Sequence, residues 1–104
     1  METLLKAKKI LAVVKRLTIK YGVESFKIKD FWDGDLLSIG LSDKSEKFLI
    51  YISIYKQDRE KYFVLLEDLS SEEEFAYLPK GDFENVTFEE LEKHFVEHLK
   101  IKTT

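Results

Sequence analysis

The 104-residue chain contains no cysteine, which excludes disulfides, iron–sulfur clusters, thiolate zinc sites and a cysteine nucleophile. A thiol-free composition fits a reducing compartment, and the expected setting is cytoplasmic. Proline occurs once, and the four glycines, at 22, 34, 40 and 81, are isolated from one another, so no phosphate-cradling loop can be built from them. No serine stands in a G-x-S-x-G setting, and both histidines lie within residues 94–98, which leaves a Ser–His–acid arrangement few ways to form. Apolar runs are short too. The first, ILAVV, covers five residues between Lys9 and Lys15, too few for a signal-peptide core or a membrane span. These absences predict a soluble chain, not an enzyme, with no cofactor.

What is present is enough for one packed core. An apolar fraction of 44% argues for a folded globule, and the length fits a single α+β domain over residues 1–104. The net charge is only −3, but it is unevenly spread. Residues 1–20 carry six Lys/Arg against one Glu, whereas residues 67–92 carry ten Asp/Glu against Lys80 alone. Such polarity bears on partners rather than on fold.

Hydrophobic spacing organises the chain. At 100° per residue, Leu4, Ala7, Ile10, Leu11, Val14, Leu17 and Tyr21 share one helical arc, with most lysines opposite and Gly22 as the stop. Leu5, Ala12 and Ile19 form a thinner apolar line among the lysines, expected to be exposed. The middle alternates with period two. Asp33-Gly34 predicts a tight hairpin that pairs Phe26 with Leu41 and Ile28 with Ile39. A turn at 43–46 would pair Leu41 with Phe48, and one at 56–60 would pair Ile52 with Val64. These registers put Phe26, Ile28, Leu37, Ile39, Leu41, Phe48, Ile50, Ile52, Ile54, Val64 and Leu66 on one face. They predict strands at 24–32, 35–42, 47–55 and 61–69, with a fifth at 74–78 ended by Pro79-Lys80-Gly81. A capping box, Thr87 with Glu90, and a staple of Val86 on Leu91 open a last helix over 88–101. The predicted fold is a five-stranded antiparallel meander with the N- and C-terminal helices packed on one face (α-β-β-β-β-β-α).

Chemical candidates are few. His94 and His98 are four apart on a helix around Glu97, and H-x-x-E-H matches an inverted zinc-hydrolase motif. A catalytic zinc needs a third ligand and a walled cleft, so these imidazoles are expected to pack at the surface or core edge, metal binding being adventitious at most. Asp30, Asp33 and Asp35 are read as turn chemistry and Trp32 as a cap on the sheet edge. The basic first helix puts its lysines where any solvated helix would, so neither nucleic acid nor membrane is an expected partner.

Two surfaces stand out instead. The sheet's second face gathers Phe31, Leu36, Leu49, Tyr51, Tyr55, Phe63 and Leu65, far more apolar than a wetted sheet face should be. Lys27, Lys29, Ser38, Ser42, Ser53, Lys61 and Glu67 are expected to keep its rim polar, and the 79–86 connection is one candidate cover. The second surface is acidic: Asp68, Glu72, Glu73, Glu74, Asp82 and Glu84, a docking ground for a basic partner.

In size, charge and α-β-α layout the chain resembles the immunity proteins that guard bacteria against polymorphic or contact-dependent toxins. Overall layout along the whole chain carries the resemblance, not a motif. It implies a protein that binds a cognate toxin domain, often a basic nuclease, and blocks its active site. The carboxylates would meet the toxin's lysines and arginines, while Tyr51, Tyr55 and Phe63 serve as anchors or as a homodimer seam. The rival is a secretion-chaperone-like or adaptor homodimer joined through the sheet face; a small ligand carrier or hydrolase ranks third.

Overall fold

The computed structural model describes residues 7–29, 36–68 and 78–102. Helix α1 spans Lys8–Tyr21, strands β1 to β5 span Lys27–Ile28, Ser38–Ser42, Phe48–Ser53, Tyr62–Asp68 and Leu78–Val86, and helix α2 spans Phe88–Leu99. The strands form one antiparallel sheet in sequence order, so each pairs with its chain neighbour. This is the α+β meander between two helices that the alternation predicts.

One cluster of buried side chains joins the helices to one face of the sheet. Ile10, Val13 and Leu17 of α1 and Leu91, Phe95 and Leu99 of α2 meet Ile39, Leu41, Ile50, Ile52 and Val64. Phe95 ties the layers together, with its ring edge-on to Phe26 at 5.2 Å and tilted against Tyr21 at 5.6 Å. In α1 the buried line is Ile10, Val13 and Leu17: Val13, outside the predicted arc, is buried and Leu11 only partly so, because Val13 and Val14 flank the Ile10–Leu17 line on either side. Ile19 is 75% exposed, as its place on the lysine side predicts.

The helices run in the same direction, since their contacts advance together. The Arg16 guanidinium lies 3.6 Å from the centre of the Phe88 ring, and one turn on the Tyr21 hydroxyl donates to Glu92 Oε2 at 2.6 Å. Lys20 also pairs with Glu92, at 2.7 Å. Hydrogen bonds from Lys20 and Tyr21 hold the Glu92 carboxyl below its ordinary range, while burial raises the Tyr21 phenol. The α2 start carries the expected capping box: Thr87 N donates to Glu90 Oε1 at 2.8 Å, and Glu90 N to Thr87 Oγ1 at 3.1 Å. Such a cap contributes about 1 kcal/mol. The helix stops at Leu99, two residues short of the prediction, where left-handed Lys100 turns Ile101 back into the core.

Two registers differ from expectation by two residues. Ile28 pairs with Leu41 rather than Ile39, and Leu41 pairs with Ile50 rather than Phe48. The second shift has a visible cause. Asp43 flanks the turn instead of belonging to it: Oδ1 accepts from Lys47 N at 2.8 Å and Phe48 N at 3.0 Å, and Asp43 N donates to Phe48 O. Burial works against the Asp43 charge, but these bonds and one from Ser45 hold its pKa down. A slip of two leaves every side chain on its face, which is why the core set survives it. The β3–β4 register, Ile50 with Leu66 and Ile52 with Val64, is as predicted. Two members of the predicted set leave the core: Ile28 is 43% exposed at the two-residue β1, and Leu37 lines a depression on the other face. The Asp33-Gly34 hairpin, with Asp30, Trp32 and Asp35, lies outside the described residues.

The fifth strand is the larger correction. It does not end at Pro79-Lys80-Gly81 but runs from Leu78 through them to Val86, while residues 74–77 of the predicted strand lie outside the described residues. Pro79 is tolerated because β5 has β4 on one side only among the described residues, so a missing N–H need not break a ladder. Residues 79–86 are thus part of the sheet, not a strap across it.

Candidate protein-binding face

The sheet face turned away from the helices divides into a closed sector and an open one. Around β2, Ser38 and Ser42 have no exposure, and Leu49 of β3 has 1%. Ser53 is buried as well, so these serines do not form the wet rim their polarity predicts. A hydroxyl can be satisfied at close range: Ser42 Oγ donates to Asp43 O at 2.9 Å, and Ser53 Oγ accepts from Tyr55 N at 3.1 Å.

The open sector centres on Tyr51 and Phe63. Pairing of Ser53 with Phe63 and of Tyr51 with Leu65 makes the two aromatic residues diagonal neighbours. Their rings stand 6.2 Å apart at 74°, edge to face. Leu36 and Leu37 ahead of β2, and Tyr55 and Gln57 after β3, complete a shallow depression of about 600 Å³ with Ser53 beside them. Tyr55 is 59% exposed. The depression therefore brings together most of the described part of the predicted apolar face; Phe31 lies outside the described residues, and Leu49 belongs to the closed sector.

The loop that walls the depression is fastened to β5. Asp58 N donates to Asn85 Oδ1 at 2.7 Å, and Asn85 N donates to Gln57 Oε1 at 2.6 Å. Gln57 Nε2 in turn donates to Tyr55 O at 3.1 Å. Asn85 sits at φ 52°, a left-handed conformation that asparagine accepts more readily than most residues, beside a register shift in β5. Sequence reasoning misses this clasp. Its only sequence signal is an asparagine two residues before the capping threonine.

The acidic residues separate by face. Asp82 pairs with Leu65 and so stands on the aromatic side, and Glu84, two residues on, is exposed with it near the same edge. Asp68 pairs with Phe48, which packs on the core, so it belongs to the helix side. Its Oδ1 is buried without a hydrogen bond, 3.9 Å from Lys80 Nζ. Glu67 lies on the aromatic side, where burial raises its pKa. Glu72, Glu73 and Glu74 lie outside the described residues.

The two histidines take separate structural positions. His94 stacks on Phe83 with centroids 4.3 Å apart, and His98 Nε2 lies 2.7 Å from Glu67 O with its ring edge-on to Phe48. Each imidazole is directed at a different strand rather than at a shared ion. Among the described residues no group of three or more His, Asp or Glu is placed to hold a metal. A second cleft, about 410 Å³, lies on the helix side among Arg16, Arg59, Lys61, Tyr62 and Phe88; Glu60 and Glu89 offset its cations. No helix among the described residues is long and apolar enough to cross a membrane. Compared with protein-family models, curated proteins and solved structures, the chain matches none.

Proposed function

We propose that the chain is a non-enzymatic protein-binding protein, an immunity- or antitoxin-type inhibitor that captures and blocks a basic, nuclease-like domain in the cytoplasm. One observation carries the reading: an aromatic depression and Asp82 share one side of the sheet, with exposed Glu84 two residues further along β5. Rings supply the desolvated anchors typical of binding hot spots, and flanking charge speeds encounter and rejects acidic partners. The clasped loop adds preorganisation, which lowers the ordering cost of association.

The test is kinetic. A partner co-purified from the native cell should associate more slowly as salt rises, and slower still with Asp82→Lys/Glu84→Lys. Association indifferent to both salt and the double substitution would overturn the reading. The same aromatic face supports one rival, a chaperone-like or adaptor homodimer. Sedimentation of wild type and Tyr51→Glu/Phe63→Glu decides that: a dimer that the glutamates dissociate favours the rival, and a monomer in both removes it.

A further inference from the structure

We propose that the outward side of α1 docks on an anionic lipid surface, with the helix lying in the plane of the headgroups. The inference is independent of the partner reading and concerns the opposite side of the molecule. Ala12, Lys15 and Ile19 follow Lys8 by four, seven and eleven residues, so the four form one stripe along the helix, and all are exposed. The buried line of Ile10, Val13 and Leu17 faces the other way, into the core. Ile19, and Val23 just past the helix, are more exposed than any other large hydrophobic residue described.

The charge here is of one sign. Helix α1 carries Lys8, Lys9, Lys15, Arg16 and Lys20 and no acid; the first carboxylate after it is Glu24. Lys20 is paired with Glu92, Arg16 lies over Phe88, and Lys9 lies over the Tyr62 ring at 5.0 Å. Lys8 and Lys15 make no ion pair among the described residues, and both stand on the stripe with Ile19. Lysines on the wet side of a helix are ordinary by themselves, which is why the sequence alone points to no membrane. Unneutralised cations beside uncovered aliphatic groups match a surface that is anionic above and apolar beneath. Lysine stems can follow Ile19 inward while their ammonium groups stay at the phosphate level.

The same residues suit other polyanions poorly. Protein interfaces are depleted in lysine and enriched in aromatic rings; the stripe has the first and none of the second. A nucleic acid would set Ile19 and Val23 against phosphates, with no ring on the stripe to stack on a base and no amide to read one. Docking needs no refolding, because the core keeps its own side of α1. The aromatic depression, on the sheet face turned away from the helices, stays open to its partner meanwhile.

The experiment is flotation of the whole chain with vesicles of phosphatidylcholine and of an equimolar phosphatidylcholine–phosphatidylglycerol mixture, repeated as salt rises. Binding is expected to the anionic vesicles alone and should weaken with salt. Lys8→Gln/Lys15→Gln should reduce the affinity on the order of tenfold. Ile19→Gln/Val23→Gln, which leaves the charge unchanged, should reduce it severalfold. All four positions are exposed, so both variants are expected to keep the wild-type thermal melt. No binding to the anionic vesicles, or equal binding to the neutral ones, would overturn the inference. So would vesicle binding that either double variant leaves unchanged; if duplex DNA then bound with the same lysine dependence, α1 would be a general polyanion site. Partner association is measured without lipid, so its salt dependence stands or falls separately.

Discussion

The two faces of the sheet are built from similar residues and behave differently. On the helix side, Ile39, Leu41, Ile50, Ile52 and Val64 are closed off by two amphipathic helices. On the other side, Tyr51, Phe63 and Leu65 remain partly open, yet Leu49, Ser38 and Ser42 in the same plane are closed. Burial on the first face follows from hydrophobic alternation. On the second it follows sector by sector, and polarity is a poor guide: the serines are inside while the tyrosine at 55 is out. A face that helices cover is held by packing energy, whereas the other face is buried only in part.

The sharpest way to break this comparison is a pair of truncations. Ile52→Ala should lower stability by about 2–5 kcal/mol in chemical denaturation, since a fully buried isoleucine leaves a cavity. Phe63→Ala, at a partly open position, should cost clearly less while weakening partner binding. Equal losses from the two would mean that both faces are core. Leu49→Ala tests the closed sector. A penalty of at least about 2 kcal/mol is expected there, well above that of Leu65→Ala, and parity between the leucines would dissolve the division of the open face.

A smaller effect is expected from Asn85→Ala, about 1 kcal/mol for the lost Oδ1 acceptor of Asp58 N and a left-handed residue without its asparagine; the bond from the residue-85 backbone N to Gln57 can persist. Faster hydrogen exchange at the Asp58 amide should accompany it; unchanged exchange would show that the clasp does not order the loop. The smallest effect concerns acid. Hydrogen bonds from Lys29 and Lys27 hold the Glu46 carboxyl at about 2, against an ordinary 4.5. The lowered value makes this contribution complete above pH 4.5 and lost as pH falls toward 2. The carboxyl carbon shift of the folded protein should titrate with a midpoint of about 2 that moves upward in high salt; a midpoint near 4.5 at low salt would mean that β1 is not tethered to the β2–β3 turn.

Much of the architecture was legible because period-two alternation is insensitive to even slips. The β1–β2 and β2–β3 registers were each misplaced by two residues, yet Ile39, Leu41, Ile50 and Ile52 still reached the core. The capping box announced α2 for a related reason: its two partners are three residues apart, and local geometry decides the outcome. What failed depended on distant pairing. Pro79 and Gly81 read as punctuation, because nothing near them in the chain says that they lie on a strand that, among the described residues, has a neighbour on one side only. The Asn85 clasp joins residues 27 and 28 apart, and the burial of Ser38 and Ser42 depends on neighbours that composition does not name. The candidate face was legible in its aromatic residues; its partition, and the split of Asp68 from Asp82, were not.

The irregular course of β5 bears on strand addition, since among the described residues β5 has a neighbour on one side only. Shifts in its pairing with β4 leave only Phe83, Asp82 and Gly81 in one unbroken register. An incoming strand from another copy would find three well-spaced residues, then a proline and a lysine on one side and a left-handed asparagine on the other. That is too little regular backbone to template a growing fibre. Along this described edge, irregular pairing leaves a second copy only a three-residue run of backbone to extend.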